Sequence, residues 1–207
     1  MKTQIVKMLL LALLSVMTFS CKKDKTEEAS TIKWTKYTTA DGLMNDNIHA
    51  IAIDASGNIW AGTDAGISKF DGTKWTNYER SNYRPVLAIA IDSQGNKWIG
   101  TNGGGASKFD GSGWIDYKYE ANSSNCIASD YISSIAIDSQ GNKWFGIIGG
   151  VAKFDGVNWV TFNTGNGLAD NNVFSIAIDK QGNKWFGTNG GVSKFDGANW
   201  TNYREVL

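Results

Sequence analysis

Short apolar runs recur along the chain from residue 48 onward, each cut off by aspartate, glycine or asparagine. Ile51-Ala52-Ile53-Asp54 returns as Ile89-Ala90-Ile91-Asp92, Ile135-Ala136-Ile137-Asp138 and Ile176-Ala177-Ile178-Asp179. After each copy come a Gly-Asn pair (Gly57, Gly95, Gly141, Gly182) and a tryptophan (Trp60, Trp98, Trp144, Trp185). Lys-Phe-Asp-Gly follows at 69–72, 108–111, 153–156 and 194–197. Each unit closes on a tryptophan and a second aromatic: Trp75/Tyr78, Trp114/Tyr117, Trp159/Phe162 and Trp200/Tyr203. The runs are rich in Ile, Val, Trp, Phe, Tyr and Thr and are bounded by turn signals, so they predict strands. In the last unit these are 175–179, 184–188, 191–195 and 199–203.

The turns fit that reading. Asp-x-x-Gly-Asn stands between the first two runs; aspartate bonds amides two residues on, and glycine supplies a positive φ. It resembles a fragment of a calcium loop but lacks the alternating oxygen ligands and distal glutamate such a loop needs. Asp-Gly between the third and fourth runs is a hairpin signal. The Gly-rich run Asn102-Gly103-Gly104-Gly105 has no following Lys-Ser/Thr and reads as a hairpin rather than a phosphate cradle. Ile-Ala-Ile is apolar on both faces, as suits a strand sandwiched between neighbouring sheets. The four aspartates are spaced 38, 46 and 41 residues apart, the period of a four-stranded propeller blade. The fold expected is all-β: a β-propeller of about four four-stranded antiparallel blades, near 48–78, 86–117, 132–162 and 173–203. Trp34-Thr35-Lys36-Tyr37 copies the closing strand alone. It predicts one extra N-terminal strand at 33–38, lying beside the last blade of a closed ring; an open ring whose edges seek a partner chain is the alternative.

The N-terminus has a different pattern. Lys2 and Lys7 precede the apolar run Met8–Phe19. Twelve helical residues span about 18 Å, short of a ~30 Å hydrocarbon core, so residues 1–20 read as a secretory signal. Thr18-Phe19-Ser20-Cys21 resembles a bacterial lipobox, which implies lipidation at Cys21. Residues 21–32 are polar, without apolar periodicity, and read as a flexible tether. The propeller repeats occupy 33–207. The expected location is the cell envelope, with the membrane met through a lipid anchor only.

Composition narrows the function. Twenty basic residues balance twenty acidic ones, so no positive field exists to hold nucleic acid. One histidine (His49) and two cysteines (Cys21, Cys126) leave little for zinc sites or Ser-His-Asp chemistry. No catalytic residue, metal or cofactor is expected, and Cys126 is expected to be an unpaired thiol.

Gly42-Leu43, Asn47-Ile48, Asp54, Gly57-Asn58-Ile59-Trp60-Ala61-Gly62-Thr63 and Gly66 together resemble the two-component regulator propeller repeat, as do the counterparts from Gly167-Leu168 to Gly191. The resemblance implies a sensor-like extracytoplasmic propeller, of a kind that often responds to oligosaccharides. The second and third units lack the Gly-Leu entry. A looser similarity to propeller lyases acting on streptogramins implies an enzyme, for which the single histidine is thin support.

Loop lengths locate the variable face. From a closing aromatic to the next Ile-Ala-Ile the intervals are 14, 11, 18 and 14 residues, and insertions in repeat proteins gather on one, often binding, face. These loops carry the candidate ligand residues Asn45, Asp46, Asn47, Tyr83, Arg84, Asp130, Tyr131, Asn171 and Asn172. Such side chains can hydrogen-bond to and stack on a sugar; they can also do no more than shape turns. The expected partner is a glycan or other small polar ligand. An envelope protein bound by a scaffold or accessory lipoprotein is the alternative.

Overall fold

The computed structural model describes residues 33–79 and 84–204. The leader at 1–20, Cys21, the tether at 21–32 and Tyr83 lie outside the described residues. The chain divides into Met1–Thr35 and Lys36–Leu207. The described residues of the first unit, Lys33 to Thr35, hold no helix or strand.

The second unit is four antiparallel sheets, each a meander in chain order. Blade 1 holds β1 (Ile48–Ile53), β2 (Ile59–Thr63), β3 (Gly66–Phe70) and β4 (Trp75–Glu79). Blade 2 holds β5 (Val86–Ile91), β6 (Lys97–Thr101), β7 (Ala106–Phe109) and β8 (Trp114–Tyr117). Blade 3 holds β9 (Ile132–Ile137), β10 (Lys143–Ile147), β11 (Gly150–Phe154) and β12 (Trp159–Phe162). Blade 4 holds β13 (Val173–Ile178), β14 (Lys184–Thr188), β15 (Gly191–Phe195) and β16 (Trp200–Tyr203). The architecture is that of a four-bladed β-propeller.

One carboxylate organises the inner hairpin of each blade. Asp54 Oδ1 accepts the backbone N–H groups of Ser56 and Asn58 at 3.0 and 2.9 Å. Its Oδ2 accepts the indole N–H of Trp60 at 2.9 Å. Asp92–Trp98, Asp138–Trp144 and Asp179–Trp185 repeat that indole bond, each at 2.9 Å. Asp-x-x-Gly-Asn is therefore a turn whose carboxylate is already engaged by protein donors, as the turn reading expects. The indole N–H is satisfied, so the ring can be buried without an orphaned donor.

Those rings fill the gaps between blades. Between blades 1 and 2, Trp60, Ile67 and Tyr78 meet Val86, Ile99 and Phe109. Trp98 and Tyr117 meet Ile132, Phe145 and Phe154 at the next interface, and Trp144 and Phe162 meet Val173, Phe186 and Phe195 at the third. Trp60, Trp98 and Trp144 are each 2% exposed, which rules them out as stacking platforms for a sugar. A lysine from the following blade lies over each ring: Lys97 4.4 Å from Trp60, Lys143 4.8 Å from Trp98 and Lys184 5.2 Å from Trp144.

Two expectations are corrected. Residues 33–38 form no strand; each blade is complete with four strands of its own. Tyr37 packs on blade 1 instead of blade 4, with its ring 4.9 Å from Phe70 and 5.8 Å from Trp75. The ring is also not closed. The first strands pack in sequence, β1 on β5, β5 on β9 and β9 on β13, with no comparable packing of β13 on β1. The step between neighbours, set by the aromatic filling, does not bring blade 4 round to blade 1. Ile51 and Ile53 are accordingly 65% and 66% exposed, and Trp185 is only half-buried.

Candidate functional site

The loops entering each first strand and the β2–β3, β6–β7, β10–β11 and β14–β15 turns share one end of the blades. Backbone bonds stitch them together across blade boundaries. Gly103 and Gly105 donate to the Asp130 carbonyl at 3.1 and 2.8 Å, and Asn102 forms a bridge with Tyr131. Gly149 donates to the Asn171 carbonyl at 3.2 Å, and Ile148 forms a bridge with Asn172.

The candidate loop residues divide by what their side chains do. Asp46, Asp130 and Asn171 occupy equivalent places, and the Oδ1 of each accepts a backbone N–H from the start of its own loop. The donors are Thr39 at 2.7 Å, Tyr119 at 2.8 Å and Thr164 at 2.8 Å. Asn45 accepts the Asn47 N–H at 2.8 Å. These four shape the loops. Asn47 Nδ2 donates to Asp64 Oδ2 at 2.8 Å. Among the described residues, no side-chain hydrogen bond engages the Arg84 guanidinium, the Tyr131 hydroxyl or the Asn172 amide.

Tyr131 and Asn172 line a cleft of about 190 Å³ with Ile147, Ile148, Val173 and Phe174. Phe174 is 59% exposed. Its counterparts are His49, Leu87 and Ser133; Ser133 is held by bonds to the Gly146 and Val173 carbonyls at 3.0 and 2.6 Å. The departure of one repeat position from its copies is the sequence signal for Phe174.

Blade 1 carries a second polar cluster at the same end. His49 Nε2 lies 2.7 Å from Asp64 Oδ1; a carboxylate only accepts, so Nε2 carries the proton. The hydrogen bonds from His49 and Asn47 hold the Asp64 carboxyl below its ordinary value. Asp64 stands where the second and fourth blades have Asn102 and Asn189, and that departure marks it.

The other end of the blades holds a cleft of about 430 Å³ between blades 3 and 4, lined by Asp138, Gln140, Asn142, Lys153 and Lys184 among others. Lys184 Nζ is 3.8 Å from Asp138 Oδ2, so those two charges pair with each other, and Lys153 Nζ lies 5.6 Å from the Trp144 ring. Cys126, in the longest loop, is a free thiol within 3.5 Å of the Glu120 and Ser123 carbonyls. Among the described residues, no cluster of His, Cys, Asp or Glu has the makings of a metal site, and no helix is long and apolar enough to cross a membrane.

Consecutive four-stranded meanders, stacked through first strands that are apolar on both faces, define a propeller built by sequence repetition. Residues 42–65 and 167–190 match the model of the family described as Two component regulator propeller. Both matches begin at the Gly-Leu entry, which clasps its own blade. Ser68 Oγ accepts the Met44 N–H at 3.1 Å, and Ser193 Oγ accepts the Ala169 N–H at 2.8 Å. By structure the chain is similar to catalytically inactive virginiamycin B lyase from Staphylococcus aureus with quinupristin, at 17% identity and TM-score 0.64, over 77% of this chain and 56% of that one. It is similar to YCF48 bound to D1 peptide at 13% identity and TM-score 0.56, over 77% and 55%. It also aligns at 24% identity and TM-score 0.48 with the extracellular domain assigned to a hybrid two component system of B. thetaiotaomicron, over 78% and 29%. The chain thus spans between 29% and 56% of these three chains, and the likeness is one of fold. No curated protein gives a significant match.

Proposed function

We propose that the chain is an exported, Cys21-anchored propeller module that binds a glycan or other small polar ligand without transforming it. The supporting observation is the loop end of blades 2 to 4. There the Arg84 guanidinium, Tyr131 hydroxyl and Asn172 amide are not consumed by the fold, and Tyr131 and Asn172 share a cleft with the exposed ring of Phe174. A sugar offers hydroxyls to such donors and acceptors and a C–H face to such a ring. Asn47 completes the polar set on blade 1, while Asn45, Asp46, Asp130 and Asn171 hold the loops in shape. Tyr83, next to Arg84, belongs to the same loop. The protein-binding alternative draws on the apolar faces of the terminal blades.

A glycan array probed with the chain freed of its leader tests the reading. Binding that falls at least about tenfold in Tyr131→Ala and Asn172→Ala, a loss of roughly 1.4 kcal/mol or more, supports it. Absence of any binding, or binding untouched by both changes, refutes it. Export and anchoring are tested separately: Cys21→Ser should release a soluble or unprocessed form from the membrane, and unchanged membrane attachment rejects the anchor.

A further inference from the structure

We infer that the two terminal blade faces are an interface for a second copy of this chain, joined head to tail into a closed ring of eight blades. Three blade interfaces within the chain share one design, and the two open faces are the unused halves of a fourth. On the leaving face of blade 4, Trp185 and Val192 are the counterparts of Trp60 and Ile67, of Trp98 and Ala106, and of Trp144 and Val151. Ile67, Ala106 and Val151 are buried, whereas Val192 is 39% exposed. On the receiving face of blade 1, Ile48, Ile51 and Ile53 match Val86, Ile89 and Ile91 of blade 2. Val86 is buried, whereas the three blade 1 isoleucines are all exposed.

The receiving face departs from its copies in the direction of an interface. The lysine that covers a neighbour's tryptophan (Lys97, Lys143, Lys184) is replaced on blade 1 by Ile59. The open face is therefore more apolar than the three buried ones at this position, the opposite of what solvent favours. Ile99, Phe145 and Phe186 are matched on blade 1 by the small Ala61. An apolar groove of about 230 Å³ opens there, lined by Leu43, Ile51, Ile59 and Ala61 among others, and it is of a size to receive the partner's Trp185.

Leaving and receiving faces are different surfaces, so the contact is heterologous, and it ends in a ring only if the rotation closes. Two arcs of four blades give eight, within the span of about 4–8 that propellers use. The ring contains two such interfaces. Each covers several large side chains, the apolar core that a stable association needs. Tyr37 marks the place to be filled. It lies 4.9 Å from Phe70, as Tyr78 lies 4.9 Å from Phe109, which is the seat of a preceding blade's closing aromatic. In the ring the partner's Tyr203 takes that seat, and Tyr37 moves off.

Sedimentation equilibrium of the full chain in mild detergent should give twice the 22.5 kDa chain mass. Ile51→Lys and Val192→Lys change side chains exposed in the single chain, so each should keep the melting curve that the wild type shows when diluted to monomer. Each should nevertheless weaken the dimer by about 100-fold or more, because each puts an unpaired charge into both interfaces of the ring. Mixing the two variants should restore part of the dimer, since one of the two interfaces is then intact. Tyr37→Ala should tighten the dimer. A monomer at every concentration, a ladder of larger species, a dimer indifferent to both lysines, or a dimer weakened by Tyr37→Ala would each overturn the inference.

Discussion

Aspartate has the same task in all four blades, and the consequences of losing it can be stated residue by residue. Asp138 takes backbone N–H groups from Gln140 and Asn142, the Asn142 amide and the Trp144 indole N–H. Asp138→Ala strands several of these donors beneath a buried ring. A stranded donor costs about 1–3 kcal/mol, so a loss of roughly 3 kcal/mol in urea unfolding is expected. Asp179→Ala should cost less, because Trp185 and its donors reach solvent. Acidity follows from the same bonds. Burial raises the Asp54 carboxyl, but hydrogen bonds from Trp60, Asn58 and Ser56 outweigh it and leave the value at about 2, against 3.8 unperturbed. The Trp185 and Asn183 bonds hold Asp179 at about 2, the Thr73 and Lys74 bonds hold Asp71 at about 2, and the Gly113 and Ser112 amides hold Asp110 at about 2. With folded values below unfolded ones, the unfolded chain takes up protons first. The stabilisation is complete above about pH 4 and is lost as the pH falls towards 2. A melting temperature flat from pH 7 to 4.5 and falling steeply below 4 is expected by calorimetry; no fall would contradict the role of these turns. At this scale the turn chemistry is legible in Asp-x-x-Gly-Asn, but the indole bond is not, since it joins residues six apart across a hairpin. Nor does a loop asparagine show in sequence whether it faces backbone or ligand: Asn171 accepts from Thr164, while its neighbour Asn172 is exposed.

Strands and blades depend on how closely neighbours approach. Gly100 is followed across the interface by Ile132; a Cβ on Gly100 would stand 2.8 Å from the Ile132 Cβ and closer still to its Cγ2. Gly100→Ala should therefore destabilise by about 1–3 kcal/mol, as overpacking does. Gly187 is the same repeat position in blade 4, with no fifth blade beyond it. There a Cβ meets only the Ser175 side chain, so Gly187→Ala should leave the unfolding of the single chain within about 0.5 kcal/mol of wild type. Equal losses at the two positions would mean that blade 4 is already covered in the single chain. Four copies of one run pattern made the sixteen strands legible, because alternation and turn residues are local. The copy at 34–37 shows the limit of that local reading: Trp34-Thr35-Lys36-Tyr37 has the residues of a closing strand, but a closing strand pairs with a third strand, and each third strand is already flanked on both sides within its own blade. The aromatic seat that Tyr37 takes on Phe70 is what survives of that pattern.

The described residues from Lys36 onward form an arc of four blades with a polar loop end and two apolar terminal faces. Ring closure was not legible, because the turn from one blade to the next is set by how three or four rings settle between them, and a repeat pattern does not encode that angle. The loop end was found through its unequal lengths. Its candidate ligand residues emerge only when Asp46, Asp130 and Asn171 are seen tied to their own loops, with Tyr131 and Asn172 left beside Phe174. Recognition of a polar ligand at this end is decided by an amide NMR titration with the best oligosaccharide from the array. The predicted result is a saturable set of shift changes confined to residues around Asn47, Arg84, Tyr131 and Asn172–Phe174. Changes centred instead on Asp138–Trp144 at the opposite end, or on Ile51 and Trp185 at the terminal faces, would contradict it.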